Sequence, residues 1–143
     1  MDEYKSTAFF YDRCLTPLLK ELRTDICTYI HHRGYRRIID ICCGTGDQLK
    51  LLENDAVELV GVDNSVSMLA RARRNCSDAV MLQLADAEQV EFPDHHFDCG
   101  IISFSLHEKH ASLRDIIYTN CRKMIRQGGS LIISDYRTAC SGV

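Results

Sequence analysis

Asp40 lies in an apolar run that ends in a tight turn, Gly44-Thr45-Gly46, and Asp63 closes a second apolar run. Glycines at such a turn let the backbone bend sharply and let a ligand approach with no side chain in the way. A carboxylate one βαβ step further on, where Asp63 lies, can accept hydrogen bonds from two ribose hydroxyls. That combination is nucleoside-binding chemistry. His107 and Glu108 follow a later apolar run, Phe97 to Phe104. They are candidate proton acceptors, and imidazole has a basicity suited to general-base work.

These residues need a scaffold that brings strand ends together. Phe9, Phe10, Leu15, Leu18, Leu19 and Leu22 recur at helical spacing, continued by Ile26, Tyr29 and Ile30. Pro17 starts a second helix there and Gly34 ends it. Strands are expected at Arg37 to Ile41, Glu58 to Val62, Val80 to Leu84, Phe97 to Phe104 and Leu131 to Ser134. Helices are expected at Gln48 to Glu53 and from Val66 to about Cys76, the latter capped by Asn64 or Ser65. A last helix is expected over Ser112 to Arg126, ended by Gly128-Gly129, and Ala87 to Val90 reads as a short turn. Strands alternating with helices imply a mainly parallel sheet with right-handed crossovers. Ligands in such sheets bind beyond the C-terminal strand ends. Asp40 to Gly46, Asp63, Asp86, Ser105 to Glu108 and Asp135 stand at those ends.

The chain has 143 residues, enough for one domain with a sizeable core. A net charge of −3 does not favour a nucleic-acid partner or an anionic membrane surface. No apolar run approaches the roughly 18 residues of a membrane span. The charged start, Met1 to Lys5, is unlike a signal peptide, and a cytoplasmic location is expected. The eight cysteines include no Cys-x-x-Cys pair, so buried structural thiols are expected and no metal site. His31-His32 and His95-His96 read as solvated pairs.

Two features argue against a dinucleotide. Leu49 stands where the third glycine of the dinucleotide spacing would be, and Asp47 puts negative charge beside the place for a phosphate. A zwitterionic amino-acid nucleoside fits better, its ammonium meeting Asp40 or a turn carbonyl. The chain resembles the class I S-adenosylmethionine-dependent methyltransferases, in the branch similar to the ubiquinone/menaquinone-biosynthesis enzymes. Four stretches carry the resemblance: Ile38 to Asp47; Val60 to Leu69; Leu84 to Glu88 with Phe92 to Asp94; and Phe97-Asp98 through Leu106 to Glu108 to Gly128 to Leu131.

The resemblance implies a Rossmann-like three-layer α/β sandwich and S-adenosylmethionine as cofactor. It implies that Asp40 and Gly44, Thr45 and Gly46 shape the methionine pocket, and that Asp63, with Asn64 beside it, holds the ribose. Asp86 would accept from the adenine amino group, the Ala87 backbone N–H would meet a ring nitrogen, and Ser103 to Leu106 would line the floor. Residues 1–35 would form a helical lid, with Tyr11-Asp12 near the pocket, and residues 36–143 the cofactor-binding core. The activity implied is methyl transfer to a small-molecule acceptor.

The resembled fold has seven strands, whereas this chain is expected to be truncated after the fifth. Strand five would then be an exposed apolar edge, open to pairing with a second copy or another protein. The competing readings are a non-catalytic binding module acting through that edge, and a dinucleotide-dependent oxidoreductase, which the turn spacing disfavours.

Overall fold

A computed structural model describes residues 16–135. Helix α1 (Thr16–His32) precedes strand β1 (Arg37–Ile41). Helix α2 (Asp47–Leu52), strand β2 (Glu58–Asp63), helix α3 (Val66–Asn75) and strand β3 (Val80–Leu84) follow. A 3-10 turn at Ala87–Gln89 leads to strand β4 (Phe97–Ser103), and a second at Leu106–Glu108 leads to helix α4 (Ala111–Met124) and strand β5 (Ile125–Ser134).

All five strands are parallel, in the order β3-β2-β1-β4-β5. The order reverses between β1 and β4, which opens a crevice beyond their C-terminal ends. The pleat sends alternate side chains to opposite faces. Ile38, Leu59, Cys99 and Ile101 pack with Ile26 and Ile30 of α1, Leu49 and Leu52 of α2 and Leu69 of α3. Ile39, Val60, Val62 and Ile102 pack instead with Ile117, Cys121 and Met124 of α4. Both faces of the sheet are therefore covered, as the near-continuous apolar strands require.

Local chemistry fixes the helix ends. Past α1, Gly34 adopts a left-handed backbone, φ 66°. Its N–H bonds the His31 carbonyl and the Tyr35 N–H bonds that of Ile30. This paired closure brings Tyr35 and Ile30 together in the core. Helix α3 is capped by Ser65, whose Oγ accepts the Met68 N–H at 3.3 Å, so Asn64 is free of that duty.

The C-terminal part corrects the sequence expectation. Gly128-Gly129 does not end the last helix; α4 stops at Met124, and both glycines lie inside β5. Phe97 pairs Ile125 but Cys99 pairs Ser130, so β5 carries extra residues against β4. Gly128 takes φ 78° within this bulge. A Cβ on Gly129 would lie 2.5 Å from the Asp98 carbonyl, which leaves room for glycine alone. Early pairing is worth the irregularity because it keeps Ile125 buried against the core containing Phe97 and Met124. His96 is also not a purely solvated residue, since its Nε2 lies 2.8 Å from Glu58 Oε2. Among the described residues β5 is an edge strand, and no helix there is long and apolar enough to cross a membrane.

Candidate functional site

Two adjoining cavities occupy the crevice at the switch point. The larger, about 390 Å³, is walled by Gly44 after β1, Asp63 and Asn64 at the end of β2, Ala87 of the first 3-10 turn and His107 of the second. The smaller, about 30 Å³, lies under α1 and is walled by Arg23, Asp40, Thr45, Asp47 and Gln48. Cys42, Ser103 and Phe104 line both.

Asp63 is held by the backbone around it. Its Oδ2 accepts the Gly44 N–H at 2.8 Å and its Oδ1 accepts the Ser65 N–H at 2.9 Å. A carboxylate oxygen can accept more than one hydrogen bond. Asn64 Nδ2 donates to Asp86 Oδ1 at 3.0 Å, which ties the acid after β3 to the end of β2. Asp86 does not cap the short helix behind it with its side chain.

Asp40 is buried on the α1 face of the sheet. Burial, reinforced by the nearby Asp63 charge and offset in part by Arg23, pushes its carboxyl up to about 8. Its Oδ1 has no hydrogen-bond partner among the described residues. An unpartnered buried carboxyl oxygen is costly and suits a cationic or protic ligand. Beside it, Asp47 meets Arg23 at 3.5 Å, Asn75 Nδ2 at 2.9 Å and Thr45 Oγ1 at 3.2 Å. Asp47 thus anchors α1 and α3 to the Gly-rich turn.

The second 3-10 turn carries the proton-transfer candidates. His107 Nδ1 lies 2.6 Å from Asp135 Oδ1, and the His107 backbone N–H donates to Asp135 Oδ2 at 2.9 Å. Nε2 of the same ring lies 3.7 Å from Glu108 Oε1. Lys109 Nζ, also on the cavity wall, reaches Glu88 Oε2 at 3.4 Å.

Gly44, Asp63, Asn64, Ala87, Ser103, His107 and Glu108 come together around the larger cavity. Asp40 and Thr45 face the smaller one. Asp86 lines neither and is joined to the site through Asn64. Gly46 also lines neither. It starts α2 at φ 78°, and a Cβ there would lie 2.9 Å from Cys76 Sγ and 3.1 Å from Ala72 Cβ, so it lets α3 press against the turn. Arg23, Gln48, Met68 and Lys109 escaped sequence reasoning. Arg23 sits in the polar part of α1's pattern, and only a packed structure shows that it reaches the smaller cavity. Tyr11-Asp12 lies outside the described residues. Among those residues no cluster of His, Cys, Asp and Glu could hold a metal.

A doubly wound parallel sheet with acids at its switch-point crevice defines a nucleoside-binding α/β domain. The chain belongs to the Methyltransferase domain family, whose pattern matches residues 38–129. It is similar to the ubiquinone/menaquinone biosynthesis C-methyltransferase UbiE of Pseudomonas paraeruginosa, 32% identical over 119 residues. That match covers 78% of this chain and 46% of the relative, so the chain spans about half the length of the curated relatives it matches. Among solved structures, an S-adenosylmethionine dependent methyltransferase from Mesorhizobium loti is 28% identical with a TM-score of 0.62, over 70% of this chain and 45% of that one. The DhpI-SAH complex shares the fold at 20% identity, with a TM-score of 0.78 over 92% of this chain and 65% of that one.

Proposed function

We propose that this chain binds S-adenosylmethionine across the switch point and serves methyl transfer to a small-molecule acceptor. The observation that carries this reading is Asp63, fixed by two backbone N–H groups at the wall of a nucleoside-sized cavity. The unpartnered Oδ1 of Asp40 in the adjoining cavity suits the ammonium of the amino-acid part. The residues present therefore fit the group. When bound, S-adenosylmethionine supplies an electrophilic methyl group.

The chain's residues divide the remaining work. Asp63 accepts from the ribose hydroxyls. Asp86, steadied by Asn64, accepts from the adenine amino group, and the Ala87 backbone N–H donates to a ring nitrogen. Gly44, Thr45 and Gly46 shape the turn around the amino-acid part. Ser103 and Phe104 form the wall between the two cavities and help keep water from the reacting atoms. For an acceptor whose nucleophilic atom carries a proton, His107 or Glu108 takes that proton. Helix α1 contributes to the cover through Arg23. A reducing, cytoplasmic setting is supported by six described cysteines in the thiol state.

Calorimetric titration with S-adenosylmethionine, S-adenosylhomocysteine and NAD tests this function on the wild-type chain and on Asp63→Ala. The expected result is binding of the two adenosyl amino acids, none of NAD, and loss of binding in the variant. A folded chain that binds none of the three, or NAD alone, overturns the proposal.

A further inference from the structure

The residue facing His107 belongs to a distant part of the chain. Asp135 directly follows β5, an edge strand among the described residues, while His107 lies in the turn after β4. The two strands pair as far as Ser103 and Ser134, so their C-terminal ends are neighbours. Asp135 grips His107 at two points, one oxygen on the backbone N–H at 2.9 Å and the other 2.6 Å from Nδ1. The two-point grip fixes the backbone of the turn as well as the plane of the ring. His107 as a whole residue is exposed, but its side chain is 25% exposed and that of Asp135 16%, so the contact between them is only partly open to water.

We infer that Asp135 is a positioning residue that holds the His107 ring protonated on Nδ1, making Nε2 the nitrogen that exchanges protons at the cavity wall. A carboxylate accepts and does not donate, so the ring nitrogen facing it carries the hydrogen. Glu108 Oε1, 3.7 Å from Nε2, is beyond hydrogen-bond distance and makes no such demand, so the neutral ring has its lone pair on Nε2. This inference rests on the reading of His107 as proton acceptor in methyl transfer. When the bond between the acceptor's nucleophilic atom and its hydrogen breaks, the electron pair stays on that atom and the proton goes to Nε2. The ring becomes an imidazolium, whose charge faces the carboxylates of Asp135 and Glu108. Lys109, the next charged group on the wall, is drawn toward Glu88 instead.

The tautomer can be read directly, with no acceptor and no cofactor. Long-range ¹H–¹⁵N correlation spectra of the ¹⁵N-labelled chain, with His107 assigned through His107→Gln, report each ring nitrogen across a pH titration. The expected result is that Nδ1 stays protonated throughout and Nε2 alone loses its proton as pH rises. Asp135→Asn places an amide group against Nδ1 and should move the neutral ring toward the Nε2-protonated form. Averaged tautomers in the wild type, or a folded Asp135→Asn with an unchanged tautomer, overturn the inference. If Asp135→Asn does not fold, the wild-type spectra decide alone. A fixed tautomer in a chain that binds no S-adenosylmethionine would sink the methyltransferase function and leave the role of Asp135 standing.

Discussion

Cys42 and Phe104 directly follow the adjacent strands β1 and β4 with the same left-handed backbone, at φ 63° and φ 55°. Both line both cavities. Neither is glycine, so each holds a conformation that costs an ordinary L-residue about 1–2 kcal/mol. The Phe104 N–H is anchored to the Ser134 carbonyl at 2.7 Å, which keeps its turn in place. The crevice is therefore floored by two backbone positions that the rest of the fold over-determines.

The position of Cys42 should accept glycine and reject β-branching. Glycine relieves the left-handed cost but adds freedom to the unfolded chain, two effects of about 1 kcal/mol that oppose each other. Cys42→Gly should therefore shift stability by less than about 1 kcal/mol. Cys42→Val, stiff at χ1 and at positive φ, should lose about 1–3 kcal/mol. Urea unfolding of the two variants measures the contrast; equal losses would show that the thiol side chain, not the backbone, is what the position needs.

Asp40 makes stability depend on pH. In the unfolded chain its carboxyl has the ordinary value of 3.8, and in the folded protein about 8. Between these values the native state holds a proton that the unfolded state releases. Stability contributed by this group is fully present below about 4, falls as pH rises, and levels off above about 8. The slope is at most about 1.4 kcal/mol per pH unit. Asp40→Asn removes the titration. Urea midpoints from about pH 5 to 8 should decline more steeply for the wild type than for the variant; parallel curves would mean that Asp40 is already ionised. An ammonium bound beside Asp40 should also expel its proton, which calorimetry in buffers of different ionisation heat would detect.

Much of this site could be read from the residue order because its parts are local. Each strand is a mainly apolar run, and Asp40, Asp63 and Asp86 stand at or just past the C-terminal ends, where a parallel sheet places ligands. The Gly44 to Gly46 turn declares itself by composition. What escaped depends on packing between segments far apart in sequence. Arg23 reaches Asp47 only because Ile26 and Ile30 seat α1 on the sheet. Asp135 reaches His107 only because β5 pairs with β4 through a bulge. That bulge also explains the error at Gly128-Gly129. Paired glycines signal a helix end in most settings, but here Ile125 is drawn into the core and the strand begins before them.

Gly46 is a packing residue for α3. Alanine there would carry a Cβ at φ 78° and push it against Cys76 Sγ and Ala72 Cβ. Both effects act together, so Gly46→Ala should cost about 2–5 kcal/mol, the sum of backbone strain and overpacking. Gly44→Ala meets no atom within 4 Å and bears the backbone strain alone, at φ 55°. It should cost about 1–2 kcal/mol. Thermal unfolding of the pair separates the two contributions, and an equal loss would mean that α3 gives way without cost.

Asp63 carries both the local fold and the proposed ribose contact, and the two roles can be separated by substitution. Asp63→Asn keeps the shape but replaces one acceptor oxygen with an amide donor. One of the backbone N–H groups, Gly44 or Ser65, then faces a donor instead of an acceptor. That should lower stability by about 1–3 kcal/mol, the cost of a buried donor left unmatched. Hydrogen bonds to a charged acceptor contribute about 1.5–3 kcal/mol, so binding of S-adenosylhomocysteine should weaken about tenfold or more. Adenine alone, which has no ribose to lose, should bind both proteins equally. Calorimetry on the wild type and Asp63→Asn checks this. Equal weakening for adenine and for S-adenosylhomocysteine would show that the variant damages the whole crevice and that Asp63 acts through the fold alone.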